Sequence, residues 1–324
     1  MRAFRLHSTG HASVLAVASP EPCGNALCLD VCACALCRTD AKMWDCGHRD
    51  LVLPRTLGHE ICAEDPETGG RWVVWPGQAC GACSACCGGC ENLCPSMRIL
   101  GFHVDGGLAT KVLVDRSALI PLPVGLDPHL ATLAEPLGCC LNALDALRFQ
   151  PGESLQVIGG GPVGLLMALA AVEAGGHARL CEREETRRER SRAFLECLGI
   201  GPATGSAVGD ACDAAVAACP GTGAFTAALS ALRPGGRFCF FSGLPGGKHV
   251  PAQDLNPIHY RQLTVTGAYG CTRDQMARAL ALLAEHGCIA ARLIDGQFGL
   301  EDVPGLLPEI LAGARMKCVI IPRE

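Results

Sequence analysis

The fold is decided by one stretch of the sequence, Leu155-Gln156-Val157-Ile158-Gly159-Gly160-Gly161-Pro162-Val163-Gly164. It begins with an apolar strand, and an apolar helix is predicted immediately after it. Between the two, glycines occupy the G-x-G-x-x-G positions, which allow a tight bend, a close approach of the backbone to a pyrophosphate and close packing of helix on strand. We therefore predict a Rossmann unit that binds a dinucleotide through Gly159, Gly161, Pro162, Val163 and Gly164.

The next strand of this unit, predicted over residues 178–181, ends at Glu182. A carboxylate at this position can accept hydrogen bonds from the adenosine ribose and would repel a 2′-phosphate. This feature favours NAD over NADP. Arg183 stands next to Glu182 and could accept the phosphate instead, so NADP is the alternative.

Outward from the glycine turn, the hydrophobic pattern divides the chain into two parts. Short β-like runs separated by Gly, Pro and Asp cover residues 13–18, 26–33, 72–75 and 108–114. A helix is predicted over 127–147, after which strands and Ala/Leu-rich helices alternate, with later strands at 237–241 and 263–267. That alternation indicates βαβ units around a parallel sheet.

The last segment, with a helix over 272–285 and a strand over 317–321, is too short to be a domain of its own. We expect it to fold back onto the N-terminal part. The predicted α/β protein has two domains, a discontinuous β-rich one over 1–126 and 269–324 and a Rossmann domain over 127–268.

Length and composition agree with this division. A chain of 324 residues exceeds the usual size of a single core. Its net charge of −5 provides no footprint for nucleic acid or an anionic membrane. The 23 cysteines are odd in number and scattered, so they cannot all form disulfides, and a reducing cytoplasm fits best.

A cysteine-rich loop has the spacing C-x2-C-x2-C-x7-C, formed by Cys80, Cys83, Cys86 and Cys94. Four closely spaced thiolates are typical of a structural zinc site. Cys80, Cys83, Cys86 and Cys90 also spell the spacing of a bacterial iron–sulfur run, and an unmetallated cluster is a third reading. Structural zinc is the preferred interpretation.

A second set of polar residues supplies a thiolate, an imidazole and two carboxylates. It comprises Cys37 in Cys37-Arg38-Thr39-Asp40, then Gly58-His59-Glu60, then Glu135 before Pro136. Together with the cysteine loop and the glycine turn, this order resembles the zinc-dependent medium-chain dehydrogenase/reductase family, in its polyol (sorbitol) and threonine dehydrogenase branch. The resemblance spans nearly the whole chain, including Pro234-Gly235-Gly236-Arg237.

The resemblance implies a GroES-like catalytic domain joined to the Rossmann domain, and a role for each of these residues. Cys37 and His59 would be ligands of a catalytic zinc, Glu60 a further or exchangeable ligand, and Glu135 a carboxylate near the metal, directly or through water. Thr39 would relay the alcohol proton, Asp40 would orient a ligand, and Arg187 would lie at the adenine end of NAD. The implied cofactors are two zinc ions per chain, one catalytic and one structural, and NAD.

The chain departs from the family pattern at two places. Lys42 stands where many members have a histidine of the proton relay, so the outer relay runs through Lys42 or directly to solvent. Residues 61–66 are also shorter than the strand pair usual in the family.

The expected activity is NAD-linked oxidation of a small secondary alcohol (a polyol, amino-alcohol or sugar-like substrate) to a ketone, by a homo-dimer or homo-tetramer. Two alternatives stay open. One is an NADP-dependent aldehyde or enone reductase on the same scaffold. The other is a non-catalytic zinc-binding protein that senses redox state.

Overall fold

A computed structural model describes residues 1–206, 211–244 and 246–323. The chain divides into two compact units, Met1–Gly138 with Cys271–Glu324, and Cys139–Gly270. The sequence placed the two divisions at 126/127 and 268/269. One helix, Ala134–Leu147, runs through the first observed division.

The strands are β1 (Arg2–Ser8), β2 (His11–Ala16), β3 (Ala26–Ala35), β4 (Arg55–Thr56), β5 (Glu60–Glu64), β6 (Arg71–Val74), β7 (Gly77–Gln78), β8 (Arg98–Ile99), β9 (Lys111–Asp115), β10 (Leu119–Pro121), β11 (Ser154–Ile158), β12 (His177–Cys181), β13 (Cys212–Ala217), β14 (Leu232–Phe240), β15 (Thr264–Gly267), β16 (Ile294–Phe298) and β17 (Lys317–Ile320). The helices are α1 (Arg38–Cys46), α2 (Ser84–Cys87), α3 (Pro128–Ala131), α4 (Ala134–Leu147), α5 (Pro162–Glu173), α6 (Glu185–Cys197), α7 (Thr222–Ala231), α8 (Ala252–Tyr260), α9 (Arg273–Ala290) and α10 (Val303–Ala312).

The first unit is built on a mixed sheet with the order β10-β6-β5-β3-β17-β16, and β9 also pairs with β3. A smaller sheet has the order β2-β1-β4, and β7 pairs with β8. The C-terminal segment returns to the N-terminal part as predicted, because β17 pairs antiparallel with β3. Residue Ala35 of β3 faces both Glu60 of β5 and Val319 of β17, which brings the two neighbouring strands to one end of β3.

The short segment after Glu60 still forms a strand pair. Strands β5 and β6 are antiparallel, with Ile61 opposite Val74 and Glu64 opposite Arg71. The turn between them is closed by backbone hydrogen bonds from Asp65 to Gly70 and from Gly69 to Asp65. A compact turn is therefore sufficient for pairing here.

The helix predicted over 127–147 is two helices, α3 and α4, so the single-helix prediction was wrong. Proline is tolerated in the first turn of a helix but not in its interior, where it lacks a donor and clashes with the preceding turn. Pro136 lies in the first turn of α4, which sets the start of that helix. The hydroxyl of Thr132, just after α3, donates a hydrogen bond to the carbonyl of His129 at 2.6 Å.

The second unit confirms the predicted Rossmann architecture. Its five strands are all parallel in the order β12-β11-β13-β14-β15, and helices connect them. Helix α5 packs most of its length into this core, with Leu165 to Leu169 fully buried. The aromatic rings of Phe225 and Phe238 pack edge to face at 5.0 Å within a second cluster of buried residues in this unit.

Within the described residues, one helical stretch, Pro128–Leu147, is long and apolar enough to cross a membrane by length and composition. It includes both α3 and α4, and 72% of the apolar window is buried inside the protein. Such burial is typical of a core helix in a globular protein.

Candidate active site and metal centres

The first candidate centre starts at the N-terminus of α1, where Cys37 is the N-cap residue. Its sulfur accepts a hydrogen bond from the backbone of Thr39 at 3.4 Å, and the Asp40 carboxylate accepts one from the backbone of Cys37 at 2.9 Å. This reciprocal pair is a capping box, which satisfies amides that a helix start leaves without partners. The helix start therefore fixes the position of the Cys37 side chain.

Asp40 also connects this helix to the segment that carries His59. Its carboxylate accepts a hydrogen bond from the Gly58 amide at 3.2 Å and lies 3.5 Å from His59 Nδ1. Gly58 has φ +93°, and a Cβ at that position would lie 2.7 Å from the sulfur of Cys34. Only glycine fits this site, so the Gly58-His59-Glu60 motif has a steric cause as well as a chemical one.

The site of His59 stabilises a positive charge. Burial alone would lower the pKa of His59, but the nearby negative charge of Asp40 outweighs burial and raises that pKa well above its usual value. His59 is 5% exposed, and its Nδ1 faces the Asp40 carboxylate.

The structure brings Cys37, His59 and Glu60 together. One possible ligand atom from each residue lies within 4.8 Å of the others. Sulfur, imidazole nitrogen and carboxylate oxygen are the donors that zinc takes, and three protein ligands are typical of a catalytic site with one open position. This donor set fits a catalytic zinc.

Glu60 has a partner that the sequence analysis missed. Lys317, the first residue of β17, donates hydrogen bonds from Nζ to both carboxylate oxygens of Glu60. Lys317 is 3% exposed and Glu60 is fully buried. Burial opposes a charged lysine, but the charge of Glu60 outweighs burial and raises the pKa of Lys317, so the lysine is an ammonium ion.

Removal of this lysine should strongly destabilise the protein. In Lys317→Met the Glu60 carboxylate loses its buried counter-charge, and breaking a buried pair from one side costs about 3–5 kcal/mol. We expect a corresponding fall in the free energy of unfolding, measured by urea denaturation. Addition of Glu60→Gln should recover part of the loss, because the unpaired charge is then gone.

The matched control is Arg71→Met, which removes the cation of the half-exposed Arg71–Glu64 pair in the same sheet. Exposed ion pairs contribute little, so its denaturation midpoint should stay close to that of the wild type. If Lys317→Met and Arg71→Met lowered the free energy of unfolding by the same amount, Lys317 would have no special role in stability.

The other residues predicted for this centre lie around the three donors. Glu135, in the first turn of α4, is 9% exposed and acts electrostatically on Glu60 and Lys317, but it is not one of the three clustered donors. Thr39 and Lys42 follow Cys37 on α1 and are half-buried.

The second candidate centre is the cysteine loop. Four cysteine sulfurs lie within 4.8 Å of one another, those of Cys80, Cys83, Cys86 and Cys94. The sulfurs of Cys83 and Cys86 are 3.5 Å apart. The sulfur of Cys90 is outside this group. Its thiol donates a hydrogen bond to the carbonyl of Gly88 at 3.8 Å. The geometry matches the zinc spacing rather than the iron–sulfur spacing.

The backbone at the start of this loop favours the thiolate form of Cys80, whereas burial and the neighbouring thiol of Cys83 raise the pKa of Cys86 to about 12. Backbone hydrogen bonds from Ala82 and Cys83 lower the pKa of Cys80 to about 6. Metals bind the thiolate form of cysteine, so amides that stabilise this form also favour metal binding. Four sulfur donors on a short loop fit a structural zinc ion.

The glycine turn of the second unit has the predicted geometry. Gly159 has φ +115°, Gly161 is the N-cap of α5 and Pro162 begins that helix. A Cβ on Gly164 would lie 1.9 Å from the carbonyl oxygen of Gly159, so only glycine allows α5 to pack this closely on β11. Val163 follows in the first turn, and its carbonyl accepts a hydrogen bond from Cys140 at 3.5 Å.

Glu182 lies at the end of β12, next to this turn. Its carboxylate accepts hydrogen bonds from the Gly160 amide at 2.8 Å and the Glu184 amide at 2.9 Å, and Glu182 is 6% exposed. Arg187 Nη1 lies 3.6 Å from the same carboxylate. Arg188, which the sequence analysis did not select, binds the backbone carbonyls of Glu182 and Arg183.

Comparisons with known proteins agree with both units. Residues 24–124 match the alcohol dehydrogenase GroES-like domain. L-galactonate-5-dehydrogenase of Escherichia coli (strain K12) is 27% identical over 82% of each chain, and D-altritol 5-dehydrogenase of Agrobacterium fabrum (strain C58) is 29% identical over 94% of each.

Among solved structures, a protein of Sinorhizobium meliloti 1021 described as a zinc-binding dehydrogenase, with NADP bound, is 30% identical. It covers 99% of each chain with a TM-score of 0.87. The chain belongs to the zinc-dependent medium-chain dehydrogenase/reductase family, the oxidoreductases that act on CH-OH groups, in its polyol dehydrogenase branch.

Proposed function

We propose that the protein oxidises the secondary alcohol of a polyol or sugar-like substrate to a ketone, with NAD as the hydride acceptor. The observation that carries this proposal is the cluster of Cys37, His59 and Glu60 beside Thr39 on α1. The relatives named for L-galactonate and D-altritol support a substrate with several hydroxyl groups.

In this proposal, Cys37 and His59 would hold the catalytic zinc, Glu60 would be an exchangeable ligand, and Glu135 would act on the metal directly or through water. When bound, zinc supplies a Lewis acid that moves the pKa of an alcohol toward neutrality, and the nicotinamide ring supplies a hydride acceptor. Thr39 accepts the hydroxyl proton of the substrate and passes it outward. Asp40 fixes the orientation of His59 by facing its Nδ1.

Lys317 has a separate role in the proposed zinc site. Its ammonium group neutralises Glu60 through two hydrogen bonds, so the carboxylate has a partner other than a metal ion. We propose that this pairing makes Glu60 a weaker and exchangeable ligand. A second zinc ion, bound by Cys80, Cys83, Cys86 and Cys94, would be structural.

NAD is the proposed cofactor because Glu182 holds a negative charge at the end of β12, next to the glycine turn. Its two backbone hydrogen bonds fix the carboxylate beside the amide of Gly160. A 2′-phosphate placed about 4 Å from this carboxylate alone would be repelled by roughly 4 kcal/mol at an effective dielectric near 20, and the positive charge of Arg187, 3.6 Å from the carboxylate, reduces that repulsion. Gly159, Gly161, Pro162, Val163 and Gly164 would hold the pyrophosphate, with Arg187 toward the adenine.

Glu182→Ala should reduce the preference for NAD. We expect the wild type to show at least about a tenfold higher kcat/KM with NAD than with NADP, and the variant to lose most of this ratio. Initial rates with both cofactors measure it. Glu185→Ala, an exposed carboxylate at the start of α6, should keep the wild-type ratio. A wild type that prefers NADP would contradict the choice of NAD.

A panel of secondary alcohols tests the function itself. Purified protein with two zinc equivalents should reduce NAD, read at 340 nm, with at least one sugar alcohol, aldonate, amino-alcohol or 2,3-diol. Activity with NADPH and an aldehyde or enone, but not with these alcohols, would support the reductase. A single metal equivalent and no reaction with any substrate would support a sensing protein.

We also propose a cytoplasmic homo-dimer or homo-tetramer. Strand β15 is at the edge of the Rossmann sheet, and Val265 on it and Tyr260 just before it are 40% and 78% exposed. An exposed strand edge with apolar side chains is suited to pairing with a second copy. Light scattering of the purified protein would contradict this proposal if it gave the mass of one chain.

A further inference from the structure

His48 lies close to the candidate active site but has no part in the donor set. It belongs to the loop between α1 and β4. The ring of Phe102 packs edge to face on His59 at 5.3 Å and on His48 at 5.4 Å. Phe102 is 6% exposed, so one buried ring separates His48 from a proposed zinc ligand.

The imidazole of His48 is held in one orientation. Its Nδ1 accepts a hydrogen bond from the backbone of Asp50 at 3.2 Å. The loop is tied further by hydrogen bonds from Leu51 to the carbonyl of His48 and from Val52 to the carbonyl of Phe102. When Nδ1 of a neutral imidazole accepts, the proton is on Nε2, which makes Nε2 a donor.

Burial, helped by nearby cations, favours the neutral form of His48. Burial lowers the pKa of His48; Asp50 opposes this, while Arg49, Lys42 and His59 lower it further. In the parts of the chain that the structure describes, the Nε2–H group makes no hydrogen bond. The side chain of His48 is 25% exposed, so it is partly open to solvent.

We propose that His48 is a specificity-determining residue, whose Nε2–H group donates a hydrogen bond to a substrate hydroxyl several carbons from the reacting carbinol. This inference rests on the proposed function. The rings of His48 and His59 both pack on the ring of Phe102, so a substrate whose reacting carbinol lies at His59 needs a chain of several carbons to reach His48. His48 therefore favours long polyols over short secondary alcohols, which have no hydroxyl to place there.

Two variants distinguish the effect of the Nε2–H donor from the effect of the rest of the imidazole ring. The amide of asparagine reaches the position of Nδ1 but not that of Nε2, whereas the amide of glutamine reaches that of Nε2. His48→Asn therefore removes the proposed donor, and His48→Gln retains one. Arg49→Gln, in the same loop and 73% exposed, is the control.

The experiment measures kcat and KM with NAD for D-sorbitol, galactitol and 2,3-butanediol. For the hexitol that the wild type oxidises best, His48→Asn should raise KM about tenfold, the usual effect of one neutral hydrogen bond. With butanediol it should stay within about twofold. His48→Gln should recover most of the hexitol KM, and Arg49→Gln should resemble the wild type.

Three results would overturn the inference. One is an equal loss for hexitol and butanediol in His48→Asn, which indicates a structural role. Another is a wild type that oxidises butanediol but neither hexitol, which leaves the proposed function intact. The third is the absence of any reaction with secondary alcohols, which removes the proposed function as well. Should His48→Asn fail to fold, His48→Met, which fills similar space without a donor, replaces it.

Discussion

Replacing Cys94 with serine should remove one zinc equivalent and lower the free energy of unfolding by more than about 4 kcal/mol. The reason is the composition of the loop around it. Cys94 is the only buried residue between Cys80 and Cys94, helix α2 buries no side chain, and Leu93 is 60% exposed. A segment without an apolar core of its own depends on metal binding for its structure. Metal analysis and urea denaturation, followed by circular dichroism, would measure both effects.

Cys90→Ser is the matched control, because it changes a neighbouring exposed thiol that donates a hydrogen bond to the carbonyl of Gly88 and lies outside the four-sulfur group. It should keep both zinc ions and the wild-type denaturation midpoint. The reverse pattern, with Cys90 required, Cys94 dispensable and iron in the purified protein, would instead establish the iron–sulfur reading of the same loop.

The sequence was sufficient for the parts of the fold that local patterns determine. The glycine turn between an apolar strand and an apolar helix predicted β11 and α5, and the alternation after it predicted the parallel sheet. Periodicity did not show that the helix over 127–147 is divided, although Pro136 was a visible signal. The predicted domain boundary lies between residues 126 and 127, before α3, and the compact units meet between Gly138 and Cys139, within α4.

The candidate site shows a similar limit. Cys37, His59 and Glu60 were selected because short motifs mark them, and the structure places their donor atoms together. Lys317 is 257 positions from Glu60, and only the pairing of β17 and β5 on either side of β3 brings them together. A lysine at the start of an otherwise apolar final strand was the available signal.

Cys37→Ser should abolish most of the proposed activity. We expect kcat/KM to fall by at least ~10³-fold, which corresponds to about 4 kcal/mol of transition-state stabilisation. The physical reason is that serine does not ionise near neutral pH and so cannot replace the thiolate as a zinc ligand. Metal analysis should find one zinc equivalent in place of two, and initial rates on the best alcohol of the panel measure the loss.

Serine is chosen because it separates the metal role of Cys37 from its structural role. Cys37 is the N-cap of α1, and serine is among the preferred N-cap residues, so the helix start keeps its acceptor for the Thr39 amide. The thermal midpoint should therefore change little while activity is lost. Cys46→Ser, at the other end of the same helix and exposed, should keep full activity and both metal ions. If Cys37→Ser retained more than about a tenth of the wild-type kcat/KM with two zinc ions bound, the thiolate would not be a catalytic ligand, and the chemistry assigned to this centre would be wrong.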